Sequence, residues 1–127
     1  MPGDPYFASP EMINYEYYGL RHDVWGLGII TYFLFAGLFP WNGENELEIC
    51  DAIIKEDLDL EPLKDRKVDS KIIECINGML SKYKNKRLTI RQVMSHKMFE
   101  AFHRKEKEVN RPITKSKKRR KTSNSRT

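Results

Sequence analysis

The chain has 127 residues, a formal net charge of +5, 39% hydrophobic residues and two cysteines. Its length fits one domain of ordinary globular composition. The cysteines show no metal-ligand or redox spacing, which favours buried reduced thiols, and residues 1–6 have no secretory signal pattern, so nothing in the sequence suggests secretion. We therefore expect a cytoplasmic or nuclear protein with reduced thiols.

Charge divides the chain into two parts. Residues 103–127 contain eleven Lys or Arg against two Glu, a net charge of +9, which leaves residues 1–102 at −4. Apolar residues nearly vanish after residue 102. We predict a folded domain over residues 1–102 and a disordered basic tail over residues 103–127.

The first predicted helix follows a loop rich in Gly and Pro. Ser9 can cap the helix, Pro10 suits its first position, and Glu11 favours the positive end of its dipole. These three residues predict a short helix that begins at Pro10.

The most apolar stretch runs from Asp23 to Trp41, and no charged residue follows Asp23 until Glu44. A helix that is apolar on every side is buried on every side, in a domain or in a membrane. Gly37 can end this helix and Pro40 interrupts its continuation. The remaining helix, about residues 21–36, is short for a span. We therefore predict a buried core helix and no membrane contact.

Three further helices follow. The spacing of apolar residues predicts one helix over about 45–55, a second that starts after Asp69, and a short third that starts at a capping box formed by Thr89 and Gln92. Residues 56–67, which are charged and contain Pro62, are predicted to form a loop. No sustained period-2 pattern occurs, so the predicted fold is all-α.

Three motifs in this order resemble those of one known family. They are Gly3-Asp4-Pro5-Tyr6-Phe7-Ala8-Ser9-Pro10-Glu11, then Asp23-Val24-Trp25-Gly26-Leu27-Gly28 followed by Tyr32, and last Arg87-Leu88-Thr89. They are similar to the Gly-Thr-Pro-x-Tyr-x-Ala-Pro-Glu, Asp-x-Trp-Ser-x-Gly and Arg-x-Thr patterns of eukaryotic Ser/Thr protein kinases. The resemblance covers about residues 3–102 and is nearest in wording to calmodulin-dependent-type kinases. It implies a partial kinase C-lobe, with a buried central helix and three to four flanking helices.

The resemblance implies a role for each matched residue. The substrate residue that follows the phosphoacceptor would be held by Gly3, Asp4, Pro5, Tyr6 and Phe7. Glu11 would form a structural ion pair with Arg87. Asp23 would accept hydrogen bonds from the backbone of the catalytic loop, with Trp25 beside it. Without the resemblance, the same residues have simpler interpretations. Residues 3–7 would form a loop shaped by Gly and Pro, Glu11 and Asp23 would only favour the start of a helix, and Arg87 would be a solvated charge.

The catalytic parts of a kinase do not occur in this sequence. Phosphoryl transfer requires a Gly-rich loop, a strand lysine, a catalytic aspartate with its asparagine, and a magnesium aspartate. In the family all of these precede the Pro-Glu motif, and here only nine residues precede Pro10. We expect no catalytic, cofactor or metal site in this chain, since ATP and magnesium would belong to an intact parent kinase. Two departures are Asp4, where the family has Thr, and Lys97, where it has Pro.

Two classes of function remain open. The first is a fragment of a Ser/Thr kinase domain that is inactive alone, because Met1 falls just before the activation-segment motif, where no domain boundary is expected. The second is a degenerate kinase-lobe binding module that docks protein partners through the helix over 45–55 and through apolar surface left uncovered. The expected partner is a protein in both cases, either a substrate or a docking partner.

The tail has its own alternatives. A basic cluster is formed by Lys117, Lys118, Arg119, Arg120 and Lys121. It is consistent with a nuclear import signal or with a solubilising tail. Nucleic-acid binding is the weaker alternative, because the folded part is acidic and offers no stacking platform.

Overall fold

The described part of the chain is built from helices. The computed structural model describes residues 4–17 and 19–109, and over these ranges it contains no strand. The helices are α1 (Pro10–Ile13), α2 (Leu20–Ala36), α3 (Glu46–Lys55), α4 (Glu61–Asp65), α5 (Ser70–Met79), α6 (Ile90–Met94) and α7 (Glu100–Val109), with 3₁₀ turns at Pro5–Phe7 and Lys97–Phe99. The predicted all-α fold is confirmed.

Helix α2 is the central element. It packs chiefly against α5 and also contacts α4, α6 and the first 3₁₀ turn. Its buried side chains are those of Val24, Trp25, Ile29, Tyr32 and Ala36. As predicted, Gly37 ends the helix in the left-handed conformation, with φ +79° and its N–H donating to the Phe33 carbonyl at 2.8 Å.

Side-chain caps set the starts of the flanking helices. The Asn45 side chain accepts from the Glu48 N–H before α3, and the Asp69 side chain accepts from the Lys71 N–H before α5. The predicted capping box at α6 is present, since the Thr89 side chain accepts from the Gln92 N–H and the Gln92 side chain accepts from the Thr89 N–H. These three helix starts are confirmed.

The predicted loop over residues 56–67 was wrong for its second half, which forms α4. Pro62 lies in the first turn of α4, where its missing N–H breaks no helical hydrogen bond. Leu63 is fully buried and holds this helix against the core. With five residues and one core side chain, α4 is too short to produce a helical period in the sequence.

Helix α2 is the buried central helix that the sequence predicts, but part of its surface is uncovered within the described residues, as the binding-module alternative expects. One stripe of the helix is exposed, and it consists of Leu20, Leu27, Ile30 and Leu34. Leu20 and Leu34 are 74% and 73% exposed, respectively, so nothing in the described residues covers the ends of this stripe. Even so, no helix within residues 4–17 and 19–109 has the length and hydropathy to cross a membrane.

Helix α7 continues to Val109, seven residues past the domain boundary predicted at residue 102, and residues 110–127 of the predicted tail lie outside the described residues. This helix consists largely of Glu, Lys and Arg, which are good helix formers even when fully solvated. Lys71 of α5 also pairs with Glu100 at 3.1 Å, close to the start of α7. Charge composition alone does not separate a solvated helix from a disordered segment.

Close packing between α2 and α5 predicts opposite effects for two glycines of one helix. A Cβ at Gly28 would lie 2.9 Å from the Met79 Cβ, whereas a Cβ at Gly26 would meet nothing within 4 Å. We expect Gly28→Ala to lower the free energy of unfolding by about 1–3 kcal/mol through overpacking. Gly26→Ala is expected to raise it by about 0.5–1 kcal/mol through helix propensity. Urea unfolding followed by far-UV circular dichroism tests both, and a stabilising Gly28→Ala would contradict the close packing.

Candidate functional site

Five of the predicted site residues lie in the segment from Asp4 to Glu11. Ser9 caps α1, and its buried Oγ accepts from the Met12 N–H at 3.3 Å. The same Oγ lies 2.8 Å from Nδ1 of His22 on α2. These two contacts fix the start of α1 against the central helix and so fix the position of Glu11.

Glu11 and Arg87, which are 76 residues apart, meet in a two-pronged ion pair. Arg87 Nη1 donates to Glu11 Oε2 at 2.7 Å, and Arg87 Nη2 donates to Glu11 Oε1 at 2.9 Å. The two residues are only 3% and 2% exposed. This fork geometry is available to Arg and not to Lys. The structure therefore brings together the two residues that the sequence motifs paired.

Two backbone carbonyls complete the surroundings of Arg87. Its Nη1 also donates to the Arg21 carbonyl at 2.7 Å, and its Nε donates to the Ser81 carbonyl at 2.9 Å. A buried guanidinium requires such partners because each unsatisfied N–H would carry a desolvation penalty. One side chain thus joins α1, the first turn of α2 and the loop after α5.

The pKa of Glu11 is lowered by this arrangement. Burial acts to raise the pKa of Glu11, but it is outweighed together by the hydrogen bonds from Arg87, a backbone hydrogen bond at Glu11, the positive charge of Arg87 and a hydrogen bond with Ser9. The carboxylate therefore stays ionised at neutral pH. It serves as an anchor and is not poised to exchange a proton.

Four side chains stack in order beside this ion pair. The Arg87 guanidinium lies 5.0 Å from the Trp25 ring centroid, and the Trp25 and Trp41 rings are parallel within 7° at 5.3 Å. On the far side, Lys82 Nζ lies 5.5 Å from the Trp41 centroid. Trp25 Nε1 is buried without a hydrogen-bond partner in the described part of the chain. Trp25 is therefore held by stacking, between Arg87 and Trp41.

Asp23 stands apart from that cluster. Its carboxylate is exposed on α2, within the stripe that also contains Leu20 and Leu27. Residues 4–17 and 19–109 supply it with no side-chain hydrogen bond or ion pair. Its predicted role at a catalytic loop stays a prediction.

The predicted substrate-side segment forms a capped 3₁₀ turn. The Asp4 carboxylate accepts from the Tyr6 N–H at 3.0 Å, so the residue that replaces the family Thr closes this turn. Gly3 lies outside the described residues, as do the five residues of the basic cluster, 117–121. The roles given to the segment and to the cluster stay predictions.

Sequence reasoning missed the contact of Phe39 with this turn and the contact of Phe33 with Phe39. Phe39 stacks on Tyr6 with 4.4 Å between ring centroids, contacts Phe7 edge-on at 5.7 Å, and lies 4.6 Å from Phe33. Phe33 and Phe39 are more than 25 residues further along the chain, in apolar sequence that indicated only core. Nothing in the sequence pattern distinguishes them from other core residues.

The buried fork predicts a large loss of stability when one partner is removed. We expect Arg87→Ala to lower the free energy of unfolding by about 3–5 kcal/mol, because Glu11 would remain as an uncompensated buried charge. Arg87→Lys should lower the free energy of unfolding by a smaller amount, since an ammonium group keeps the charge but cannot form the two parallel hydrogen bonds. Arg91→Ala, on the exposed side of α6, is the matched control and should change stability by less than about 0.5 kcal/mol. Chemical unfolding at neutral pH measures all three, and equal effects at 87 and 91 would contradict a structural ion pair.

Comparison with known proteins identifies the family to which the chain is similar. The model of the protein kinase domain family matches residues 1–99. Myosin light chain kinase family member 4 of Mus musculus is 33% identical over 94 residues, which are 74% of this chain and 24% of the relative. Calcium-dependent protein kinase 25 of Arabidopsis thaliana is 35% identical over 94 residues, with 74% and 18% of the two chains covered.

Solved structures give the same result. The twitchin kinase fragment of C. elegans, described as an autoregulated protein kinase with immunoglobulin domains, matches with a TM-score of 0.70 and 26% identity, over 76% of this chain and 22% of that one. A Rad53 structure in complex with AMP-PNP matches with a TM-score of 0.67 and 26% identity, over 74% and 25% of the two chains. The chain spans about a quarter or less of these relatives. The motifs, the helical fold and the family match together establish that the chain belongs to the protein kinase family and is a fragment of a Ser/Thr kinase domain.

Proposed function

We propose that this chain is the substrate-facing part of a Ser/Thr protein kinase, which transfers the γ-phosphoryl group of ATP to a protein hydroxyl. The observation that carries the proposal is the buried pair of Glu11 and Arg87, which ties the end of the substrate-side segment to the helical body. A segment that must present a peptide needs such a fixed end, because catalysis of phosphoryl transfer depends mostly on positioning.

In this proposal the chain positions the substrate, and the rest of the kinase supplies the chemistry. The turn at Asp4 to Phe7 faces the peptide, and Asp23 receives the catalytic loop. ATP and magnesium are bound by parts of the intact protein outside this chain, where magnesium neutralises charge on the phosphates. The free thiols of Cys50 and Cys75 support a reducing compartment, cytoplasm or nucleus.

The native protein provides the test of this proposal. It is isolated with an antibody raised against residues 4–109, its intact mass is measured, and it is assayed with labelled ATP, magnesium and a mixed serine peptide library. We expect a mass well above the 15.0 kDa of this chain and measurable label transfer. The recombinant 127-residue chain, assayed in parallel, should transfer none. A native mass of 15.0 kDa without transfer would defeat the proposal.

The exposed stripe of α2 favours a second candidate, a binding module. Leu20, Leu27, Ile30 and Leu34 share one face of the helix, and an uncovered apolar face of this kind marks a binding surface or a tendency to aggregate. A partner that covers this face would give the isolated chain a role as a docking protein without catalysis.

The two candidates differ in how the purified chain behaves. If the stripe is an open binding surface, the chain should bind a hydrophobic dye or self-associate in sedimentation experiments. Leu27→Gln combined with Leu34→Gln should reduce both effects, while Ile90→Gln, at an exposed apolar position on α6, should not. If the purified chain is monomeric, melts cooperatively and does not bind the dye, the binding-module candidate loses its support.

A further inference from the structure

The loop between α5 and α6, residues 80–89, presents a strongly basic surface. Residues 75–99 contain six Lys or Arg and no Asp or Glu. In the described part of the chain, Lys84 and Lys86 of this loop form no ion pair with an acidic side chain. The charge of the loop is therefore available to attract an anionic group of another molecule.

Hydrogen bonds hold this loop against the start of α2. Arg21 Nη1 donates to the Lys84 carbonyl at 2.9 Å and to the Asn85 side-chain oxygen at 3.1 Å. Lys84 Nζ in turn donates to the Tyr17 carbonyl, just before α2, at 3.1 Å. A partner therefore meets a surface that is already formed, so that little conformational entropy is lost on binding.

Two clefts open beside the loop, and Lys84 and Asn85 line both of them. Their volumes are about 330 and 420 Å³, which is enough room for a small organic group. The Tyr83 ring lines the first cleft and is 72% exposed. Tyr17 and Leu20 line the second cleft and are 85% and 74% exposed. Each cleft therefore offers apolar contact next to a cation.

The position of the cations indicates which chemical groups fit. Lys84 uses one of its three N–H donors on the Tyr17 carbonyl, so two are left for a partner. Lys86 Nζ lies 5.5 Å from the Tyr83 ring centroid. A carboxylate bound to either lysine would bring a neighbouring apolar side chain of the same molecule against the Tyr83 ring. The surface therefore suits a partner that carries negative charge and an apolar group close together.

Acidic residues at the borders of the loop limit the length of an anionic partner. Glu16 is exposed and lines the first cleft. Asp57, just after α3, lines a neighbouring cleft together with Lys82 and Tyr83. A nucleic acid or an anionic membrane would extend past the loop and meet these carboxylates. A short acidic stretch of a protein avoids them, and its backbone N–H groups can donate to them.

We infer that residues 82–86, together with Tyr17 and Leu20, form a docking surface for a short acidic segment of a protein partner. In this segment a large apolar side chain lies among several carboxylates, so that the apolar group enters a cleft while the carboxylates pair with Lys84 and Lys86. The surface contains none of the residues assigned to the substrate side. The inference therefore goes beyond the proposed function and does not depend on it.

Peptide binding to the full 127-residue chain tests the inference. A short fluorescein-labelled peptide carries one Phe with Glu on both sides, and two matched peptides replace the Phe by Ser or every Glu by Gln. Fluorescence anisotropy at physiological ionic strength should show the first peptide binding about tenfold more tightly than either matched peptide. This is the difference expected for burying one large side chain or for losing two or three exposed ion pairs.

Variants then assign the binding to the loop. Lys84→Ala combined with Lys86→Ala should weaken binding of the Phe and Glu peptide about tenfold, and Tyr83→Ala should remove the preference for Phe over Ser. The matched control, Lys105→Ala combined with Lys107→Ala, makes the same change of charge at exposed positions on α7 and should alter the affinity by less than about twofold. Lys86→Ala alone, at an exposed position, keeps the test decisive if the change at Lys84 disturbs the loop. Thermal melts show which variants are folded.

The basic tail needs its own control, because it also attracts acidic peptides. In a full-length variant with residues 117–121 changed to Ala, both the preference for Phe and the effect of Lys86→Ala should persist. Loss of binding in this variant, together with unchanged binding in a folded Lys86→Ala chain, would assign the peptide to the tail and overturn the inference.

The remaining outcomes decide the kind of partner. Equal binding of the Phe and Ser peptides, or no saturable binding of any peptide, would overturn the docking surface. A fluorescein-labelled single-stranded oligonucleotide and phosphatidylserine vesicles are measured in parallel. If either binds more tightly than the peptide and loses affinity with the lysine variants, the assignment to a protein partner is overturned.

Discussion

One guanidinium holds the described structure together. Arg87 contacts Glu11 through the ion pair and also the carbonyls of Arg21 and Ser81, so three distant segments converge on one side chain. A buried ion pair is a weak source of net stability, because desolvation offsets most of the attraction. Its effect here is to define the position of a segment. Glu11 has only one place where its charge is satisfied, and the turn at residues 4–7 is placed accordingly.

The side chains stacked beside Arg87 connect it to the end of α3. Trp25 and Trp41 lie between Arg87 and Lys82, and Trp41 Nε1 donates to the Glu56 carbonyl at 3.0 Å. Lys82 Nζ also donates to the carbonyls of Ile54 and Glu56 at the end of α3, which favours a cation there. Burial lowers the pKa of Lys82, while Asp57 and Glu56 act to raise it. The acidic helix α3 and the anchored Glu11 are thus parts of one contiguous packed unit.

Much of the fold could be predicted from the sequence because its signals are local. The caps at Ser9, Asn45, Asp69 and Thr89 are hydrogen bonds within one turn, so a few residues determine them. Helix α4 was missed because a single buried Leu63, far away in sequence from its core neighbours, stabilises it. The pairing of Glu11 with Arg87 could be predicted only from the family motifs, because 76 residues separate the two and no local pattern connects them.

The site was less predictable than the fold, for a related reason. Motifs name the residues of the turn itself, whereas Phe39 acts through ring contacts that arise only when the α2–α3 connection folds back onto the turn. An aromatic residue in an apolar stretch has the same sequence appearance whether it lies fully in the core or packs, half-buried, against a surface turn. The difference is created by tertiary packing, and exposure is the quantity that reveals it.

The central helix illustrates the limit of hydrophobic patterning most clearly. The sequence of α2 shows no polar face, and the general rule for such a helix is burial all round. The described residues bury Trp25, Ile29 and Tyr32 but leave Leu20, Leu27, Ile30 and Leu34 exposed. Asp23 lies in the same exposed stripe, so this face combines apolar contact with one acceptor. Under the proposed function, the part of the kinase outside this chain would cover this face with apolar side chains and place a hydrogen-bond donor opposite Asp23.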